Sequence, residues 1–199
     1  MPTFLRRILI AFAVIILLIG GALAWLNWQV HRETVTPLTT VNAEGAAGRA
    51  LTVLSPGMSA FPERVMTAFV DGLAEKGWRI DHTTASGQAT TAIGDYDLIV
   101  LVSPIYGSRV APPLQSYMAR VGDFDGKRIA VVITAGGDPD ESVANTEALI
   151  AEHNGALEAI FGYAVYQPND PEGQYEGSNT DRAVAMAHDA ATEFAGKLQ

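Results

Sequence analysis

The sequence predicts an α/β protein, a doubly wound parallel sheet of five strands preceded by a single transmembrane helix. Three observations carry that expectation. Apolar runs without alternation, Leu98–Val102 and most of Arg128–Thr134, read as parallel strands covered on both faces. Segments with apolar residues at helical spacing lie between such runs, so strand and helix alternate along the chain. At the amino terminus, Ile8–Leu26 holds 19 residues without one charge, and at about 1.5 Å each they span roughly the 30 Å of a bilayer core.

The apolar segment, residues 1–30 with its flanks, reads as a retained anchor in the lipid bilayer. Trp25 and Trp28 stand where an aromatic belt meets headgroups, and Gly20 and Gly21 are tolerated in such helices. Cleavage after Ala22-Leu23-Ala24 is the other reading, that of a signal sequence. Arg6 and Arg7 precede the span, and only Arg32, offset by Glu33, follows closely. The positive-inside rule then puts the amino terminus in the cytoplasm and the domain outside. Arg6-Arg7 also loosely matches a twin-arginine export signal, a pattern common before apolar helices.

Residues 31–48 are rich in Thr, Ala and Gly, with few large apolar side chains, and read as a tether. The domain, 49–199, opens with Ala50–Leu54 as a buried strand. Pro62–Lys76 follows as a helix carrying Val65, Phe69 and Leu73 at helical spacing, with Gly77 as its stop. Arg79–Thr84 reads as an edge strand. Thr84–Gly94 is polar and too rich in Gly, Thr and Ala for a full crossover helix. Ala111–Val121 is the next helix, with Pro112 and Pro113 at its start, where a missing amide hydrogen matters least. After the strand Arg128–Thr134, Ser142–Asn154 is helical with Gly155 as its cap, and Leu157–Val165 is the last strand. The acidic loop Pro168–Asn179 then leads to a closing helix with Val184, Ala187, Ala191, Phe194 and Leu198 on one face.

The formal net charge is −9, and from Gly45 onward ten Lys and Arg face twenty Asp and Glu. So acidic a domain is not built for nucleic acid. The chain has no cysteine, which excludes disulfides, thiolate metal sites and cysteine nucleophiles together.

Three loops at the carboxyl ends of expected strands carry the candidate site, because ligands of open α/β sheets bind there, where strand order reverses. The first is Leu54-Ser55-Pro56-Gly57-Met58-Ser59, in which Ser55, Gly57, Met58 and Ser59 could hold a phosphate through hydroxyls and the amides of a helix start. Ser59 is also placed to cap that helix. The second, Ser103–Arg109, has Pro104, Ile105, Tyr106 and Gly107 directly after the buried strand. The third, Thr134-Ala135-Gly136-Gly137-Asp138, offers Ala135, Gly136 and Gly137 for a close backbone approach.

These loops, and the chain around them, resemble the flavodoxin-like family, which includes FMN-binding flavodoxins and flavodoxin-type NAD(P)H:quinone reductases. The resemblance implies strand order 2-1-3-4-5 and FMN as cofactor, with its phosphate in the first loop, its ring stacked on Tyr106 and its polar edge at the third loop. The sequence departs from the family at Pro56, where a threonine is usual and where proline supplies neither hydroxyl nor amide donor. Asp138, Asp140 and Glu141 beside a flavin would lower its potential, or they serve the helix that starts near Ser142.

Other constellations are weaker. Gly57-Met58-Ser59-Ala60-Phe61 lacks the final glycine of a nucleophile elbow, and His82, His153 and His188 are scattered. Asp170, Glu172, Glu176 and Asp181 do not match a calcium loop, and neither GxGxxG after a strand nor GxxxxGK[ST] occurs. No catalytic acid, base or nucleophile and no metal ligand is assigned, because flavin chemistry belongs to the cofactor. The expectation is a membrane-anchored protein that binds FMN and transfers electrons, with quinones or a membrane redox protein as partner. The alternative is an FMN-free interaction or assembly module at the membrane.

Overall fold

A computed structural model describes residues 3–170 and 172–199, in two units, residues 1–32 and Glu33–Gln199. The first unit is a single helix, α1, Thr3–His31. It is long and apolar enough to cross a membrane, and a signal sequence shares that composition. Its last turn is closed by a contact between His31 Nδ1 and the Asn27 carbonyl.

In the second unit the strands are β1 (Thr39–Val41), β2 (Gly48–Leu54), β3 (Trp78–Thr84), β4 (Leu98–Tyr106), β5 (Arg109–Val110), β6 (Arg128–Ala135) and β7 (Ala156–Ala164). The helices are α2 (Phe61–Glu75), α3 (Pro112–Val121), α4 (Val143–Glu152) and α5 (Asn179–Leu198). The sheet runs β1-β3-β2-β4-β6-β7. Its five parallel strands, β3-β2-β4-β6-β7, have the expected 2-1-3-4-5 order. The chain goes from β2 to β3 on one side and then to β4 on the other, so strand order reverses between β2 and β4.

The continuous apolar runs follow from burial on both faces. On β4, Leu98, Val100 and Val102 join the core under α2 and α5, where Phe69, Ala187 and Phe194 lie. Ile99 and Leu101 point the other way, into a second core with Leu114, Tyr117 and Ile150 from α3 and α4. Alternate side chains of one strand thus fill two cores. The closing helix α5 packs on α2 so closely that a Cβ added to Gly72 would lie 2.5 Å from the His188 carbonyl oxygen.

The crossover from β3 to β4 contains no helix, as its composition predicts. Ala85, Ala89, Ile93 and Tyr96 instead bury irregular backbone against the sheet. The Tyr117 hydroxyl donates to the Thr90 carbonyl at 3.0 Å, and Arg120 donates to that of Ser86.

Several expectations differ in detail. The segment read as a tether supplies β1, which pairs antiparallel with β3, so β3 is not the outermost strand. Ahead of it, the Thr84 amide donates to Thr36 Oγ1 at 3.1 Å and Thr83 Oγ1 donates to the Thr36 carbonyl at 3.1 Å. Threonine hydroxyls here complete the backbone pairing that a short strand leaves open. Helix α4 ends at His153 with Asn154, not Gly155, in the left-handed region at φ 56°. Gly155 is needed for space, since a Cβ there would meet Ile129 Cδ1.

Candidate functional site

The first loop leaves β2 through Ser55, whose amide donates to the Val102 carbonyl at 2.8 Å and whose side chain is buried. Gly57 has φ 72°, a conformation that side chains with a Cβ avoid. Ser59 does not cap α2. The cap position is Ala60, without a side-chain bond, and Ser59 Oγ accepts only a long contact, 3.4 Å, from the Phe61 amide. Pro62 occupies the first turn with Glu63 beside it.

The second loop is a tight hairpin. β4 runs on through Tyr106, turns at Gly107 (φ 56°) and Ser108 (φ 59°), and returns as β5, with Ile105 opposite Val110 and Tyr106 opposite Arg109. Two successive positive φ values match the turn that suits strand twist. Ser103 braces it from below, donating to the Pro104 carbonyl and accepting the Ala111 amide, both at 2.8 Å. Tyr106 leans toward the first loop, and a Cβ on Gly57 would lie 2.9 Å from its hydroxyl. Burial raises the Tyr106 phenol above its ordinary value, and the Met58 backbone amide beside its oxygen acts in the opposite sense.

The third loop leaves β6 at Ala135. Val165 donates its amide to the Ala135 carbonyl at 2.8 Å, and Tyr166 donates to that of Gly136 at 3.0 Å. The Tyr166 ring reaches within 3.7 Å of where a Gly136 Cβ would be, yet the residue is 87% exposed. Asp138 accepts the Asp140 amide at 2.9 Å and starts the short 3-10 helix Pro139–Ser142. That bond supports the helix-start reading of Asp138.

A cleft of about 280 Å³ opens among the three loops, lined by Met58, Ser59, Phe61, Pro62, Pro104, Ile105, Tyr106, Thr134, Ala135, Gly136, Val165 and Tyr166. Of the residues expected to bind cofactor, Met58, Ser59, Pro104, Ile105, Tyr106, Ala135 and Gly136 meet there, while Ser55, Gly57, Gly107 and Gly137 shape the loops without lining the space. Phe61 and Tyr166 are the aromatic groups of the cleft that the sequence did not assign to it; Tyr166 follows β7 at the edge of an acidic loop with no motif around it.

The competing constellations do not assemble at this cleft. His153 Nδ1 pairs with the Gly122 carbonyl, and His188 lies 3.1 Å from Glu75. Asp181 is bound by Arg64, and Asp170 accepts the Tyr175 amide.

No protein-family model matches the chain, and no curated protein matches it. Among solved structures it is similar to the Flv1 flavodiiron core from Synechocystis sp. PCC6803, with 18% identity over 78% of this chain and a TM-score of 0.56; the chain spans 37% of that protein. It is also similar to oxidised Flavodoxin 1 from Bacillus cereus, with 17% identity, 76% of this chain, 99% of that one and a TM-score of 0.55. A third is general stress protein 14 from Treponema denticola in complex with FMN, with 14% identity, 76% and 99% coverage, and a TM-score of 0.53. The fold is flavodoxin-like.

FMN, the cofactor this fold implies, fits the site in one part only. The apolar walls at Pro104, Ile105, Ala135 and Tyr166 suit a planar ring. The first loop is poor in the free donors that a phosphate dianion needs. Pro56 and Pro62 have no amide hydrogen, the Ser55 amide is already bonded, and Tyr106 crowds Gly57 and Met58.

Proposed function

We propose that the chain is a membrane-tethered redox protein whose flavodoxin-like domain holds a flavin ring in the cleft between the loops after β2, β4 and β6. The observation that carries this reading is the cleft itself. It lies at the carboxyl ends of the parallel strands, beside the point where strand order reverses between β2 and β4. Two tyrosines, Tyr106 and Tyr166, line it together with Pro62, Pro104 and Gly136, an arrangement that suits a flat ring. A flavin, when bound, supplies the electron transfer; the protein sets its position and potential.

What the chain contributes is placement. The Ser103-braced hairpin holds Pro104 to Tyr106 as one rigid wall, and the Gly136–Tyr166 backbone bond holds the other. Rigid walls of this kind limit how far a bound ring and its solvent shell rearrange during electron transfer. Helix α1 supports anchoring in a bilayer, with the amino terminus cytoplasmic and the domain outside from the Arg6-Arg7 asymmetry. Anchoring restricts the redox partners to quinones or a membrane redox protein.

A second reading has its own observation. The crowded first loop favours an FMN-free interaction module at the membrane. Fluorescence titration of flavin with the full-length protein in detergent micelles separates the two. Saturable quenching supports the redox reading, and none at micromolar protein supports the module. Steady-state turnover with reduced nicotinamide and a soluble quinone then distinguishes reductase from carrier.

A further inference from the structure

We infer that the cleft selects an unphosphorylated flavin ring, with riboflavin as its simplest representative, over FMN. This rests on the proposed ring-binding function and adds which flavin is taken. The first loop has few free donors. Across Ser55–Pro62, two residues are prolines, the Ser55 amide is given to Val102, and the Phe61 amide points at Ser59 Oγ. The Met58 amide faces the Tyr106 hydroxyl. The amides of Gly57, Met58, Ser59 and Ala60 are left for an anion, and the Tyr106 hydroxyl competes for that of Met58.

Charge points the same way. Ser55–Glu63 contains no Lys or Arg. Arg64, the first cation after it, is held by Asp181 at 2.5 Å. Glu63 stands in the first turn of α2 and offsets the favourable end of the helix dipole. A phosphate dianion placed there would lose its hydration and gain little in return.

Space agrees with charge. The Tyr106 hydroxyl and Pro104 Cγ stand 2.9 and 2.7 Å from where a Gly57 Cβ would be, so the second loop packs directly on the first at Gly57 and narrows the space beside it. The remaining cleft, about 280 Å³, falls just under the range of roughly 300–1,000 Å³ common for pockets that hold drug-sized ligands. Its walls are apolar and aromatic, suited to the part of a flavin that carries no charge.

The test titrates riboflavin and FMN separately into the full-length protein in micelles, with empty micelles as the control, and reads flavin fluorescence. Riboflavin is expected to bind severalfold more tightly than FMN. FMN binding as tightly as riboflavin or more so would overturn the inference and leave the redox reading standing. Binding of neither flavin would overturn both. Pro56→Thr, which restores an amide and a hydroxyl, and Tyr106→Phe, which removes the hydroxyl facing Met58, are each expected to shift the affinity ratio toward FMN severalfold. A ratio that moves in neither variant would show that these two residues do not set the preference, and would contradict the inference.

Discussion

Gly57 and Tyr106 meet where the first two loops close on one another. A Cβ on Gly57 would stand 2.9 Å from the tyrosine hydroxyl and 2.7 Å from Pro104 Cγ, and Gly57 itself has φ 72°. Gly57→Ala therefore adds left-handed backbone strain to a steric clash. The expected cost is about 1–3 kcal/mol, read by chemical denaturation of the full-length protein. A variant as stable as the parent would mean that the two loops are not packed as described.

Asp81, on β3, has only 2% of its side chain exposed. It accepts from Thr40 at 2.6 Å, from Arg49 at 2.7 and 3.1 Å, and from the Tyr96 hydroxyl at 3.1 Å. Burial pushes its carboxyl up, but the hydrogen bonds from Thr40, Arg49 and Tyr96 outweigh it and hold the carboxyl below its usual range. Its stabilisation is thus present above the unfolded value, near pH 4, and is lost as pH falls through the lower folded value. Asp81→Asn is expected to cost about 1–3 kcal/mol at neutral pH and to flatten the acid limb of the stability profile. The figure stays below that for a fully buried pair because Arg49 keeps 35% of its side chain exposed.

Helices α2 and α5 give a contrary pH dependence. His188 is raised on balance: partial burial lowers it, while Glu75 and Asp189 raise it by more. Its contribution is complete below the unfolded value of about 6.5 and fades as pH rises through the folded one. His188→Gln is expected to remove a small neutral-to-alkaline slope, a fraction of a kcal/mol at so exposed a pair. An unchanged slope in thermal melts at pH 6 and 8 would contradict the pairing.

The same helix pair makes Gly72 indispensable. A Cβ there would lie 2.5 Å from the His188 carbonyl and 2.9 Å from Ala191 Cβ, and a backbone oxygen cannot swing aside as a side chain can. Gly72→Ala is expected to destabilise by about 2 kcal/mol or more despite alanine's better helix propensity. Stability equal to or above the parent, by denaturant titration, would show that the helices separate easily.

Much of this was legible in the chain and some was not, for physical reasons. The unbroken apolar runs of β4 and β6 reflect burial on two faces, and that pattern survives in sequence without any partner. The absent β3–β4 helix was legible in its Gly, Thr and Ala content. β1 was not, because three residues of Thr and Val gain their strand geometry only by pairing with β3. Gly155 read as a helix stop because glycine is the usual left-handed residue, yet Asn154 takes that role and Gly155 answers to Ile129. At the site, the positions of the three loops followed from strand ends. The lean of Tyr106 over Gly57 depends on a contact between loops 49 residues apart in the chain, and Tyr166 carries no local signal at all.

Tyr166 is the wall most open to solvent and least needed by the core. Tyr166→Ala is expected to weaken flavin binding about tenfold, the value of one aromatic stack, with little change in stability. Unaltered affinity would place the ring elsewhere.

The visible absorption spectrum of the full-length protein, equilibrated with excess riboflavin and FMN and then freed of unbound flavin, shows whether the cleft holds a flavin. A retained, perturbed flavin spectrum approaching one flavin per chain is expected, with riboflavin as the released species on denaturation. A folded protein that emerges colourless would contradict it and leave the flavodoxin-like domain as an interaction module.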